Sequence, residues 1–429
     1  MSTRLDNVRL WDDRGLQDKP VSVLLEGSFI KAVGDDSMPA EHCHNGAGKL
    51  LVPGLVDLSC HVREPGPDRK GSIATESRAA ARGGFTTVCT SPETSPVNDS
   101  GAVTHLILEL ASRQGLVKIL PVGAMTRGLG GEMLSDMAGL VASGCVALGQ
   151  AGRGVRDART LRRCLAYAQT FGIPLFLQAE NKALAAEGCA HEGLMATRLG
   201  LPGIPEVAET VAVSELILLA EETGARLHLA QLSTGRSVEL VRAAQARGVG
   251  LTADVAISNL AYTDDCLKDY DSRFHVRPPL RSEADRKALC RGVNDGTITA
   301  IVSQHLPHES EAKQAPFGET EPGLSTIDIT LSLGLRLVQQ GELEQQALLR
   351  ALTAGPASVL GRPAPAIRSG SSADLFLLDR EASWFVDEAS LLSRGKHSPA
   401  LGESLPGVVR ATWVDGRRVY AVEDERVPE

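Results

Sequence analysis

Apolar residues recur along this chain in two rhythms. Short, nearly unbroken apolar runs alternate with longer segments whose apolar positions fall three and four apart. The short runs predict strands at Leu51–Leu58, Phe85–Thr90, Val117–Val122, Cys145–Gly149, Pro174–Gln178, Arg226–Gln231, Gly250–Ala253 and Thr299–Gln304. Unbroken apolar character marks strands covered on both faces, as in a parallel sheet. The longer segments predict helices at Ile73–Arg82, Ala102–Gln114, Gly131–Ala142, Asp157–Phe171, Pro205–Thr223, Ser237–Arg247, Glu283–Val293 and Thr326–Gln339. Asp157 and Ser282 are placed to cap helix starts, while Gly172, Gly224 and Gly248 fit helix stops.

Strands alternating with helices in this number read as an α/β (β/α)8 barrel spanning 51–361. A doubly wound open sheet is the competing architecture, but it usually carries a glycine-rich phosphate loop after its first strand, and none follows Leu58. Outside the barrel the rhythm becomes two-residue. Val21–Glu26 and Phe29–Val33 precede it, and Asp374–Leu378, Val408–Val414 and Arg417–Val419 follow, with Asp415-Gly416 as a tight hairpin turn. The segments 1–50 and 362–429 are therefore expected to form one small composite β domain.

At 429 residues and 43% apolar content the chain can bury a large core. Its net charge of −9 argues against a nucleic-acid partner. The 8 cysteines include no C-x-x-C pair, so neither a zinc knuckle nor a redox motif is suggested, and their contexts suit reduced, buried thiols. The flanked cysteine of His42-Cys43-His44 offers only a surface metal site in a polar turn. The first residues lack a signal-peptide core, and no run of spanning length occurs, so the expected location is cytoplasmic, with no membrane partner.

In a barrel of this kind chemistry sits at the C-terminal strand ends. The first strand ends in Asp57-Leu58-Ser59-Cys60-His61-Val62-Arg63-Glu64-Pro65-Gly66. This resembles the first metal-binding segment of the dihydroorotases of the amidohydrolase superfamily, Asp-x-His-x-His-x-Arg-Glu-Pro-Gly, and the likeness extends over nearly the whole chain. Ser59 stands where the resemblance implies a ligand histidine, leaving His61 as the one retained ligand position. By alternation Cys60 points away into the core. Further on, Gln150 or Ala151 lies where a bridging acid or carboxylated lysine is implied, Gln178 and Gln231 lie at ligand histidines, and Gln304 replaces the metal-binding, proton-carrying aspartate. His228, three residues before Gln231, is expected on the opposite side of its strand.

The resemblance also implies substrate-carboxylate contacts at Arg63 and His308, with Arg277 in place of an asparagine, whereas Glu93 at another asparagine position would repel that group or pair with one of the arginines. His61, His305 and His308 read either as remnants of the site or as neutral structural histidines. A cluster of glutamines suggests a hydrogen-bonded plug in place of a metal site. Zinc, the implied cofactor, is expected to be absent. The resemblance thereby implies a non-catalytic dihydroorotase-like chain serving pyrimidine biosynthesis as a structural partner of the aspartate transcarbamoylase catalytic chain. The expected assembly is a large symmetric hetero-oligomer, with self-association. The alternatives are a working metal-dependent cyclic amidohydrolase and a small-anion sensor using Arg63, Arg277 and His308.

Overall fold

A computed structural model describes residues 2–34 and 37–422. The expected extent of the small domain reaches 429, so 423–429 lie outside the described residues. Eight parallel strands follow one another in chain order: β1 (Leu55–Cys60), β2 (Phe85–Thr90), β3 (Lys118–Ala124), β4 (Ala147–Gly149), β5 (Leu175–Gln178), β6 (Leu227–Ala230), β7 (Leu251–Ala256) and β8 (Ala300–Val302). The sheet closes on itself at its C-terminal end. There the His61 amide donates to the His305 carbonyl at 2.8 Å, and the His305 amide donates to the Ser59 carbonyl at 3.2 Å. Beneath this seam the buried Asp57 carboxylate accepts from the Ser303 hydroxyl and from the Ser303 amide, so β1 and β8 are joined by side chain as well as backbone.

Leu58, Cys89, Val122, Ala147, Phe176, Ala256, Ala300 and Val302 fill the barrel interior as one apolar cluster. The opposite faces of the strands pack against the helical layer in a larger cluster that includes Leu55, Cys60, Leu148, Leu177, Leu229 and Ile301. That placement of Cys60 agrees with the alternation argument. Helix α1 (Ile73–Arg82) opens with a capping box between Ser72 and Thr75, and Asp157, Thr234 and Ser282 each cap a later helix through a side-chain oxygen.

Three expectations need correction. The run Leu51–Leu58 is two strands in two sheets: Leu50–Pro53 belongs to the small domain, and β1 begins at Leu55. Gly54 makes the crossing, since a Cβ there would fall 2.1 Å from the Thr86 hydroxyl. The helix expected over Gly131–Ala142 shortens to Met137–Ala142, because Asp136 caps it there by accepting from the Gly139 amide. The last helix starts at Thr330 rather than Thr326; the segment before it instead carries the Thr326 amide that donates to the His305 ring.

The small sheet has 9 strands and draws on both chain ends. The Ser2–Asp12 strand pairs in parallel with Leu50–Pro53, which pairs antiparallel with Leu375–Phe385. Ser2–Asp12 escapes the sequence pattern because a bulge between Leu5 and Val8, with Asn7 at φ 52, breaks its alternation. Leu5, Val8, Leu10, Val23, Leu25, Leu51, Leu377 and Trp413 form its separate core. At the hairpin turn Asp415 and Gly416 both take positive φ, as a type I′ turn requires. No helix among the described residues is long and apolar enough to cross a membrane.

A candidate site at the barrel mouth

The C-terminal ends of the strands surround a cavity of about 230 Å³. Leu58, Val122, Phe176, Ala230 and Leu306 give it an apolar wall, and Ser59, His61, Glu93, Gln178, Gln231, Asp254, Arg277 and Gln304 bring polar groups to it. Two of these glutamines hold unusual backbone: Gln231 at φ 59 and Gln304 at φ 51. A non-glycine residue in the left-handed region carries strain that its surroundings must hold in place. At Gln231 the restraint is visible, because its amide donates to Asp254 Oδ1 at 2.7 Å.

The amides form one connected chain. Gln231 Nε2 donates to Ser59 Oγ at 2.8 Å, and Gln304 Nε2 donates to Gln231 Oε1 at 3.2 Å and to the Arg277 carbonyl at 2.9 Å. Gln178 Nε2 donates to that same carbonyl at 3.2 Å. The orientation of Gln304 is dictated by its partners: both are oxygens, so the nitrogen has to face them.

Charged groups at the rim are paired within the protein. Arg277 grips Glu180 through Nε and Nη2, the shorter contacts being 2.9 and 2.8 Å. Burial raises the Glu180 carboxyl, but the hydrogen bonds from Arg277 and Lys182 prevail and hold it below its usual range. Glu93 does not pair with Arg63 or Arg277, as the sequence suggested. It accepts from Arg153 at 2.7 Å, a residue on the loop after β4 that had drawn no role.

Arg63, at φ 63, turns away from the cavity and donates to the Pro307 carbonyl at 2.9 Å, with Nη2 3.3 Å from His308 Nε2. His308 is buried among Arg63, Lys70 and the Pro322 carbonyl, with the Glu321 carboxylate, itself held by Lys70, 3.2 Å from its Nδ1. Burial, then the neighbouring cations Arg63 and Lys70, push its pKa down to about 2. Arg63, Arg277 and His308 therefore do not converge, and of the three only Arg277 lines the cavity.

Gln150 is a second correction. It is buried behind the mouth and bonded to Thr126 Oγ1 and the Leu129 carbonyl, while Ala151 faces the cavity at φ 50. The third is His228. Because Gln231 leaves the strand geometry, His228 and Gln231 both face the barrel axis; His228 lies below the mouth with Nε2 2.8 Å from Asp254 Oδ2 and Nδ1 2.8 Å from Thr252 Oγ1. Asp254 itself, buried and lining the cavity, was missed. It lies one residue beyond the strand expected at Gly250–Ala253, and extending that strand would have found it.

His305 is structural. Its Nδ1 accepts from the Thr326 amide at 3.1 Å, so its proton is on Nε2, which donates to Glu76 at 2.7 Å in a pair with both side chains fully buried. His61 differs: among the described residues its ring has no hydrogen-bond partner, which departs from the expected bonded histidine, and it faces the cavity. Burial, then Arg63, holds its pKa well below the usual histidine value.

A zinc ion needs thiolate, imidazole or carboxylate ligands, at least three from the protein. The mouth offers His61, Glu93 already paired with Arg153, Asp254 with each carboxylate oxygen already bonded, and neutral amides and a hydroxyl. Among the described residues no group of three or more His, Cys, Asp and Glu side chains is placed to hold a metal ion. The donor set does not fit the metal that the architecture implies.

An eight-stranded parallel barrel with a β domain from both chain ends and a cavity at its C-terminal face defines the amidohydrolase class. The fold matches L-hydantoinase (dihydropyrimidinase) from Arthrobacter aurescens with a TM-score of 0.88 at 23% identity, over 98% of this chain and 96% of that one. A D-hydantoinase from a Thermus species matches with a TM-score of 0.85 at 19% identity, over 98% and 96% of the two chains. The dihydro-orotase-like family model matches residues 48–237. A dihydroorotase-like protein of Pseudomonas aeruginosa is 45% identical over 98% of this chain and 100% of its own length. A dihydroorotase of Anaeromyxobacter dehalogenans is 45% identical over 87% of this chain and 86% of its own. The chain belongs to the dihydroorotase-like family.

Proposed function

We propose that this chain is a catalytically inactive dihydroorotase-like subunit of pyrimidine biosynthesis, acting as structural partner of the aspartate transcarbamoylase catalytic chain. The observation that carries the first half is the amide chain from Ser59 through Gln231 and Gln304 to the Arg277 carbonyl, which occupies the side chains that would have to reach a metal. Without a metal-bound hydroxide the class has no activated water, and Gln304 cannot carry a proton near neutral pH. The assembly half rests on the resemblance drawn from the sequence motifs. It is supported by the outward face of the Val207–Thr223 helix, where Val207, Val211 and Leu218 are 49%, 45% and 64% exposed along one line. The partnership takes the form of a large symmetric hetero-oligomer in the cytoplasm, with contacts between copies of this chain as well.

Co-expression with the transcarbamoylase chain of the same organism tests this. The two chains should co-purify as one large species, and the transferase made alone should be smaller and less active. A transferase that is full-sized and fully active alone removes the structural role.

A second reading, a working metal-dependent cyclic amidohydrolase, is favoured by the name dihydroorotase on relatives such as that of Anaeromyxobacter dehalogenans and by the unpartnered His61 ring. Stoichiometric zinc together with turnover of dihydroorotate would establish it.

A further inference from the structure

The mouth cavity persists although its metal chemistry does not fit, and its unused hydrogen-bonding groups define what it can hold. Gln304 has spent both amide protons, on Gln231 and on the Arg277 carbonyl, so its Oε1 remains an acceptor. Gln178 has spent one amide proton and Gln231 one, which leaves each a further donor. Ser59 Oγ accepts from Gln231 and keeps its own proton to donate. The His61 ring adds one donor and one acceptor. Donors and acceptors are thus interleaved, opposite the apolar wall of Leu58, Val122 and Phe176.

The charges oppose an ionic ligand. Arg277 is neutralised by Glu180, and Glu93 by Arg153. The remaining carboxylate at the cavity, Asp254, is bonded through both oxygens. An added anion would meet Glu93 and Asp254, and among the described residues the cation lining the cavity, Arg277, is already paired with Glu180; a buried unpaired charge is strongly disfavoured. At about 230 Å³ the space is below the range of drug-sized pockets.

We propose that the barrel mouth is a metal-independent binding site for a small uncharged molecule that presents amide-type N–H and C=O groups side by side. The inference rests on the catalytically inactive reading of the same site.

The test is calorimetric titration of the full chain, stripped of metal by chelator, with two probes that differ by one carboxylate: dihydrouracil and dihydroorotate. Dihydrouracil should bind saturably, one per chain, at least about tenfold tighter than dihydroorotate, reflecting the cost of bringing in an unpaired charge. Ala230→Phe, which fills the cavity from its apolar wall, should abolish the heat while the thermal unfolding profile shows a folded chain. If Ala230→Phe does not fold, Gln178→Leu, which removes a free donor at the rim, should weaken dihydrouracil by about tenfold. No saturable dihydrouracil binding, tighter binding of dihydroorotate, or binding that requires added zinc overturns the proposal. Absence of binding together with absence of turnover removes this inference alone, whereas zinc-dependent hydrolysis removes the inactive reading itself.

Discussion

Replacing Gln304 by aspartate would write back the residue that the resemblance implies at a metal site, and the geometry says the barrel mouth will reject it. Gln304 Nε2 is the donor to two oxygens, Gln231 Oε1 at 3.2 Å and the Arg277 carbonyl at 2.9 Å. A carboxylate there has no proton to give. Two hydrogen bonds, each worth about 0.5–1.5 kcal/mol, are lost, and two acceptors are left facing a negative charge in a partly buried setting. The expected loss is about 2–4 kcal/mol of stability. Backbone strain does not confound the comparison, because position 304 sits at φ 51 and aspartate tolerates that region at least as well as glutamine. Equilibrium urea unfolding of the wild type, Gln304→Asp and Gln304→Asn measures the difference. Asparagine keeps an amide on a shorter arm and should fall between the two. A Gln304→Asp chain within about 0.5 kcal/mol of wild type, or one that takes up zinc and hydrolyses dihydroorotate, would show that the amide network does not hold the mouth together.

His305→Ala leaves the fully buried Glu76 carboxylate without its Nε2–H donor, and a loss of about 3–5 kcal/mol in the same unfolding assay is expected; a neutral effect would mean that the pair is not structural. Ser59→His restores one imidazole beside His61 but removes the hydroxyl that accepts from Gln231, so it should show no dihydroorotate hydrolysis and lower stability, measured by turnover and thermal unfolding. His308, with its pKa pushed down to about 2, stays neutral in the fold while the unfolded chain takes up a proton below about 6.5. Its contribution is therefore present above pH 6.5 and lost as the pH falls from there toward the folded-state pKa. His308→Gln should flatten the stability–pH curve between pH 6.5 and 4.5 by up to about 1.4 kcal/mol per pH unit, and an unchanged slope would contradict the burial argument.

The barrel was legible because its strands are buried on both faces and so read as bare apolar runs. The N-terminal strand was not: its bulge at Asn7 interrupts the two-residue rhythm that identifies a half-buried strand. The strand junction at Gly54 was hidden because the apolar Leu50–Pro53 runs directly into the apolar start of β1, Leu55-Val56, and the Thr86 side chain pressed against Gly54 marks the break between them. At the mouth, Ser59, Gln178, Gln231 and Gln304 could be placed by motif, and all four line one cavity. Side-chain direction could not be read where the backbone turns left-handed: Gln231, Gln304, Ala151 and Arg63 all have positive φ. At these positions alternation fails, which is why the sequence could not choose between Gln150 and Ala151, His228 was put on the wrong side, and Arg63 was aimed at the cavity. The ion pairs Glu93–Arg153 and Arg277–Glu180 join residues from different loops, a proximity that no local pattern encodes.

Whether the barrel mouth is an amide network or a metal centre is decided by the zinc content and dihydroorotate turnover of the purified full chain, after equilibration with excess zinc and gel filtration. An amide network should retain well under one zinc per ten chains at the mouth and show no turnover above the uncatalysed rate. One zinc per chain, lost on mutation of His61 and accompanied by hydrolysis, would contradict it.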